Sequence, residues 1–257
     1  LTGLAFILAA QQVGFTDLPR LSKGVTNLLQ LSSELFPPNL QDVPAILNAL
    51  FETIQIAFVG TIIGFILSIP AAALALRTAF PSYITAPTRA LLALVRTIPA
   101  LFWAVIFVIA VGLGPLAGTL AVSVYSLGYL SKLYYEAFEA VDQDTIDALR
   151  CAGASSLALV RYAVIPESLN AIFSQLFFMF EYNVRASTVL GFVGAGGVGF
   201  LMINYIETLR YSSLTTIIIL TLAVVVAVDY VSGRLRKMVL PEVRLKTPTK
   251  IRTAPVH

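Results

Sequence analysis

Residues able to do chemistry are few in this 257-residue chain, and most fall in two stretches. The first, Glu136–Pro166, reads EAFEAVDQDTIDALRCAGASSLALVRYAVIP. It carries the carboxylates Glu136, Glu139, Asp142, Asp144 and Asp147, followed by Arg150, Gly153 and Arg161. The second, Phe180–Gly199, carries Glu181, Asn183, Arg185, Ser187 and Thr188, then Gly191, Gly194, Gly196, Gly197 and Gly199. Neither sets a nucleophile beside a base, so an enzyme reading has no support. His257 and Cys151 are the only histidine and cysteine, which leaves no metal-ligand cluster and no internal disulfide. No G-x-x-x-x-G-K-[ST] run is present, so if ATP drives this protein another chain binds it. A dinucleotide fingerprint in the glycines would need a preceding strand and a βαβ unit, and neither is present.

The second stretch admits two readings. A charge at membrane depth is costly and faces a partner or a water-filled cavity. Glu181 precedes Arg185 by four residues, the spacing of an ion pair along one helix face. Alternatively, the Arg185 guanidinium attracts an oxyanion, whose geometry it matches, with Asn183, Ser187 and Thr188 as polar liners. The glycines divide in the same way. They allow close helix packing through small residues, or the backbone amides near Gly194, Gly196 and Gly197 line a pathway or gate.

The elements that position these stretches follow from composition. The chain is 58% hydrophobic and 12% charged, about half the charge of a soluble domain. Its solvent is therefore lipid, where long uncharged runs become helices because backbone groups must be satisfied within the segment. The basic residues lack aromatic interleaving, which excludes a nucleic-acid surface. The expected fold is all-α, a single polytopic transmembrane domain over residues 1–257. Leu1–Phe15 reads as the end of a first span, with a signal segment over Leu1–Ala10 as the alternative. Residues 14–43 form an external loop with an amphipathic helix around Val25–Leu35 and a turn at Phe36-Pro37-Pro38-Asn39. Pro44 opens the next helix, and the uncharged run between Glu52 and Arg77 suffices to cross a bilayer. Arg77–Arg89 is expected to be a short loop. Gly112-Leu113-Gly114-Pro115 then folds the following uncharged run into a hairpin of Leu91–Val111 and Pro115–Leu130, closed by Lys132. Pro166–Phe180 and Tyr211–Val228 are further helices, and 233–257 is a basic tail. Trp103 and the tyrosines of Tyr125–Tyr135 are lipid-interface or packing residues.

Charge distribution sets the topology. With the polar insertion 136–166 inside and six spans, the inside holds Arg77, Arg89, Arg96, Lys132, Arg150, Arg161 and the tail cations Arg234, Arg236, Lys237, Arg244, Lys246, Lys250 and Arg252. The outside keeps Arg20, Lys23, Arg185 and Arg210. A crossing by Ala186–Ile206 would put the tail outside, so that run is expected to fold back or to form a short helix shielded by protein. Within the insertion, Asp144 is expected to cap a helix that Gly153 ends, and Ser155 to cap a second one running to Pro166. Ile146, Leu149 and Gly153 share a face, and Asp147 and Arg150 lie close enough to interact. From these residues alone the insertion is either an ordinary solvated loop or a docking knob.

Asp147-Ala148-Leu149, then Gly153, then Ala163-Val164-Ile165-Pro166 resembles the EAA loop of ABC importer permeases, with Asp for Glu, Leu for the second Ala and Ala for the first Ile of the closing motif. Phe180–Gly191, Val193–Gly199, Phe36-Pro37-Pro38 and Ala110–Pro115 resemble the phosphonate permease group. The resemblance implies a type I ABC importer permease in the bacterial inner membrane with about six transmembrane helices. Val141–Gly153 would be a coupling helix, with Glu139, Asp142, Asp144, Asp147, Ala148, Arg150 and Gly153 facing an ATPase subunit. Glu181, Asn183, Arg185, Ser187, Thr188, Gly194, Gly196 and Gly197 would belong to the translocation pathway. The implied partners are two ABC ATPase copies, an extracytoplasmic substrate-binding protein, a second copy of this chain in a homodimer, and membrane lipid. The chain itself would bind no cofactor; ATP and Mg would sit on the ATPase. The cargo would be phosphonate, phosphite or a related phosphorus oxyanion. An ion-coupled secondary carrier of a small anion is the alternative; such carriers show internal repeats and paired broken helices, and no convincing repeat is visible.

Overall fold

The computed structural model describes residues 2–239, and among them no strand occurs. The described residues run through eleven α-helices: α1 Thr2–Gln12, α2 Leu18–Leu35, α3 Val43–Leu74, α4 Ser82–Thr97, α5 Ala100–Val111, α6 Pro115–Glu139, α7 Gln143–Cys151, α8 Ser156–Leu159, α9 Ile165–Leu190, α10 Val198–Glu207 and α11 Tyr211–Val239. The all-α expectation holds. The tail cations Arg244, Lys246, Lys250 and Arg252, and His257, lie outside the described residues.

Several boundaries differ from the sequence reading, each for a local reason. Helix α2 starts at Leu18 rather than near Val25, because Asp17 caps it, accepting from the Arg20 amide at 3.1 Å, and Pro19 sits in its first turn. The expected loop Arg77–Arg89 is largely helix α4. The Pro81 carbonyl accepts from the Ile84 and Thr85 amides and so opens that helix, and Pro87 removes only one bond near its start. The expected arm Leu91–Val111 is two helices, since Pro99 pushes Ile98 out of helical geometry and then stands at the N-cap of α5. Helix α6 continues past Leu130 to Glu139, supported by the Lys132–Glu136 pair one turn apart. Pro166 does not end a helix. The π-helical turn Val160–Val164 between α8 and α9 adjusts the backbone where Pro166 has no N–H to give. Helix α11 runs past Val228 to Val239 and takes Arg234, Arg236 and Lys237 out of the expected tail.

Among the described residues, three segments are individually long and apolar enough to span a membrane: Leu40–Leu74, Ser156–Val193 and Tyr211–Met238. Taking Ser82–Thr97 with Ala100–Val111 as one span makes four. The expected six are not reached on length and apolarity alone. Helix α6 carries Ser123, Ser126 and Ser131, all buried, so these serines face protein rather than lipid.

Contacts divide the chain into two compact units. Among the described residues, one comprises 2–62, Ile98–Tyr125 and Asn183–Val226; the other comprises Ile63–Thr97, Ser126–Tyr182 and 227–239. In the first unit, Ile56, Ala104, Ala121, Val122, Leu190 and Ala195 form one apolar cluster, with Trp103 and Phe107 against it. Ile46, Leu50, Val198, Tyr205 and Ile217 form another. In the second unit, fully buried Tyr134 stacks on Phe138 at 6.4 Å between ring centroids and meets Phe65 edge-on at 6.2 Å. Its hydroxyl donates to the Ile172 carbonyl at 3.2 Å. Tyr134 and Trp103 are thus packing residues.

Candidate functional site

The polar insertion lies in the second unit. Helix α7 begins at Gln143 because Asp142, not Asp144 as the sequence reading expected, caps it: the Asp142 carboxylate accepts from the Asp144 amide at 3.0 Å. Asp144 sits inside the first turn, where a negative charge favours the helix dipole. Gly153, at φ +80°, supplies the left-handed residue that closes the helix, and its amide donates to the Arg150 carbonyl at 2.9 Å. Ser155 then caps α8, accepting from the Ala158 amide at 3.3 Å.

Two cations fasten this stretch to its own unit. Arg89 of α4 donates to the Ala75 carbonyl at 2.8 Å, pairs with Glu139 and lies 4.3 Å over the Tyr135 ring. Arg150 donates to the Thr78 carbonyl and pairs with Asp147 at 3.4 Å. Ile146 and Val141 are buried, and Leu149 is half-buried. The seven residues expected to face a partner therefore separate. Asp142, Asp144, Asp147, Ala148 and Gly153 are exposed, whereas Glu139 turns inward to Arg89, and Arg150, itself 45% exposed, reaches back to Thr78. Sequence reasoning missed Arg89, whose partner Glu139 lies fifty residues away.

The glycine-rich run lies in the first unit. After α9 comes a 3-10 turn, Gly191–Val193, then a loop and the short helix α10, of which Val198, Gly199 and Tyr205 are buried. Gly194, Gly196 and Gly197 all have positive φ, +82°, +83° and +74°. At Gly197 the conformation aims two successive amides at α3. The Gly197 N–H donates to the Glu52 carboxylate at 2.9 Å, and the Val198 N–H donates to the Thr53 hydroxyl at 2.8 Å. A Cβ at Gly197 would stand 2.6 Å from the Thr53 hydroxyl oxygen, so the space as well as the dihedral demands glycine. The Gly112–Pro115 turn docks on the same loop, where the Gly114 amide donates to the Gly194 carbonyl at 2.8 Å and Leu113 occupies the space a Cβ of Gly194 would need. An open cavity of about 450 Å³ is lined by Asn48, Glu52, Leu113, Gly194, Gly196 and Phe200, among others. Sequence reasoning also missed Glu52 and Thr53 as the acceptors that hold this loop. The available signal was a lone carboxylate beside a long apolar run, which calls for a polar partner.

Helix α9 sorts the remaining candidates by face. Glu181, Arg185 and Thr188 recur at four- and three-residue intervals on one side, where Arg185 is exposed and the other two are half-buried. Asn183 and Ser187 fall on another side, each 1% exposed. The Asn183 amide donates to the Thr61 hydroxyl at 2.7 Å, and the Thr188 hydroxyl donates to the Arg185 carbonyl at 2.7 Å. Asn183 and Ser187 therefore do not line a surface with Arg185, a correction that follows from the helix period. Glu181 has a partner not foreseen, Arg236 of α11, at 3.2 Å. Glu167, Asn170 and Ser174 fall on the same side toward the start of α9, separated from Glu181 by Phe177 and Phe178.

Comparison with known proteins agrees with these features. The pattern of the family described as "Binding-protein-dependent transport system inner membrane component" matches residues 60–245. The chain is 35% identical to the phosphite transport system permease protein PtxC of Stutzerimonas stutzeri over 90% of this chain and 84% of that protein. It is 39% identical to the phosphate-import permease protein PhnE of Mycolicibacterium smegmatis over 79% of this chain and 39% of that longer protein. Among solved structures, a chain of the inward-facing MetNI methionine ABC transporter superposes with a TM-score of 0.68 at 21% identity, covering 78% of this chain and 99% of that one. The fold is thus that of type I ABC importer permeases, and the chain belongs to the inner membrane components of binding-protein-dependent transport systems as a multi-pass protein of that membrane.

Proposed function

We propose that this chain is the permease subunit of an ABC importer that carries phosphite, a phosphonate or a related phosphorus oxyanion inward, driven by ATP hydrolysis on a separate ATPase. The observation that carries the coupling half of this reading is helix α7: a capped helix whose carboxylates Asp142, Asp144 and Asp147 are exposed while Arg150 and buried Ile146 hold it to the protein. A helix so fastened transmits a push instead of yielding to it. Residues 136–166 and the end of α11 then face the cytoplasm, residues 14–43 face outward, and each of two copies of this chain seats its α7 on one of two ATPase subunits. A substrate-binding protein delivers cargo from outside. ATP-driven closure of the ATPase pair opens the path outward, and hydrolysis resets it, each step being a shift between states that the ligands bind unequally.

The cargo half rests on the names of the phosphite and phosphate permeases among the relatives and on the polar side of α9. Glu181, Arg185 and Thr188, together on one side of α9, are ill suited to lipid and suited to a watered path, with Arg185 the group that attracts an oxyanion. Transport into proteoliposomes tests the whole reading. Uptake of phosphite or methylphosphonate is expected only with ATP, the ATPase and the binding protein together. Uptake driven by an ion gradient without them would favour an ion-coupled carrier and refute the proposal. The mass of the detergent-solubilised complex tests the stoichiometry: two copies of this chain are expected, and one copy beside a different permease would refute the homodimer.

A further inference from the structure

Helix α2 is not absorbed by the transport machinery. It is amphipathic: Leu18, Leu21, Val25, Leu28, Leu29 and Leu35 recur at helical spacing over one side, while Lys23, Thr26, Gln30 and Glu34 occupy the other. No residue of α2 is buried, and Val25 and Leu28 are 60% and 66% exposed. Beside this apolar side, Val13, Phe15, Leu21, Val25 and Leu28 line an open groove of about 700 Å³ with Arg20 on its wall.

We propose that α2 lies in the interface of the lipid bilayer, its apolar side sunk to the acyl boundary and Arg20 paired with a lipid phosphate. Connector length decides the occupant. Residues 36–39 separate α2 from the 3-10 turn that leads into α3, a reach of at most about 14 Å. Residues 13–17 separate it from α1, at most about 18 Å. Helix α3 is a membrane span, and α1 is apolar with Phe6, Ile7 and Leu8 exposed. A helix of 18 residues, about 27 Å long, tied this tightly to the ends of two apolar helices stays at the membrane face where they end. Its apolar side shares a groove with exposed Val13 and Phe15 of the connector to α1. An amphipathic helix so placed sinks its apolar side into the headgroup–acyl boundary.

Cys151 is the only cysteine, so spin labels place the helix directly. In a Cys151→Ser background, nitroxides at Val25→Cys, Leu28→Cys, Lys23→Cys and Gln30→Cys are measured in nanodiscs of mixed phosphatidylethanolamine and phosphatidylglycerol. Collision with oxygen, which concentrates in lipid, is compared with collision with a water-soluble nickel chelate. Labels at 25 and 28 are expected to favour oxygen and those at 23 and 30 to favour nickel. Labels at 25 and 28 reached by neither reagent would mean that protein, a second copy or a partner, covers this side. Nickel reaching all four would mean that α2 stands in water. Either outcome overturns the proposal.

Discussion

Replacing Thr53 by valine removes the acceptor that holds the start of α10. The two side chains are close in shape, and the site is dry: Thr53 is 1% and Val198 2% exposed. The lost hydrogen bond spans 2.8 Å from the Val198 amide to the Thr53 hydroxyl. Without it a buried N–H has no partner, at about 1–3 kcal/mol; the loss of an N-terminal cap alone costs about 0.5–2 kcal/mol, an overlapping quantity. The Glu52 carboxylate still accepts from the adjacent Gly197 amide at 2.9 Å, so α10 is expected to loosen rather than unfold. A penalty of this size raises the local opening equilibrium roughly 5- to 150-fold. Hydrogen–deuterium exchange followed by mass spectrometry in detergent reads this directly. Peptides of α10 should exchange faster by such a factor while those of α4 stay unchanged. Unchanged protection of α10 would refute the cap, and equal loss across every helix would show that the effect is global rather than local.

Further outcomes follow from other contacts. Gly199→Ala puts a Cβ 2.0 Å from the Thr188 carbonyl oxygen, where C···O contacts stay beyond about 3.3 Å. The protein should lose at least about 1–3 kcal/mol and melt lower in detergent, whereas Gly233→Ala, which meets nothing within 4 Å, should not lower the melting point. Asp42→Ala removes the acceptor shared by Arg210 at 2.7 Å, Ser213 at 2.6 Å and Asn39 at 3.2 Å. With Arg210 partly in water, a loss of about 1–3 kcal/mol is expected, read as a lower melting temperature. Gly153→Pro places a residue fixed near φ −65° where φ is +80°, and Asp147→Arg reverses an exposed charge. Both variants should reach the membrane and fail to support ATP-driven uptake; normal binding of the ATPase with normal uptake would remove α7 from the mechanism.

Local chemistry was legible in the sequence and distant pairing was not. Gly153 and Ser155 end and restart helices as their types demand, since a left-handed closing residue and a hydroxyl cap are one-residue decisions. The Gly112–Pro115 turn was visible for the same reason. Asp142 taking the cap from Asp144 illustrates the limit, because two carboxylates two residues apart are equally able caps and the backbone chooses. Pro87 and Pro166 misled because proline's cost depends on whether its missing bond falls near a helix start or beside a π turn. Pairings such as Arg89 with Glu139, Arg236 with Glu181, and Glu52 with Gly197 join residues 50, 55 and 145 positions apart, and no periodicity encodes them. The site readings suffered most where a run of neighbours was treated as one surface. Asn183 and Arg185 are two residues apart and therefore on different sides of α9.

In the proposed function, this chain couples a soluble ATPase to a loaded binding protein. The direct measurement is the ATPase rate of the reconstituted complex in lipid nanodiscs with the binding protein empty, or loaded with phosphite, methylphosphonate or phosphate. Stimulation by at least one loaded form over the empty one, abolished by Asp147→Arg, is the predicted result. A rate indifferent to every loaded form, with Asp147→Arg behaving as the unaltered chain, would contradict it.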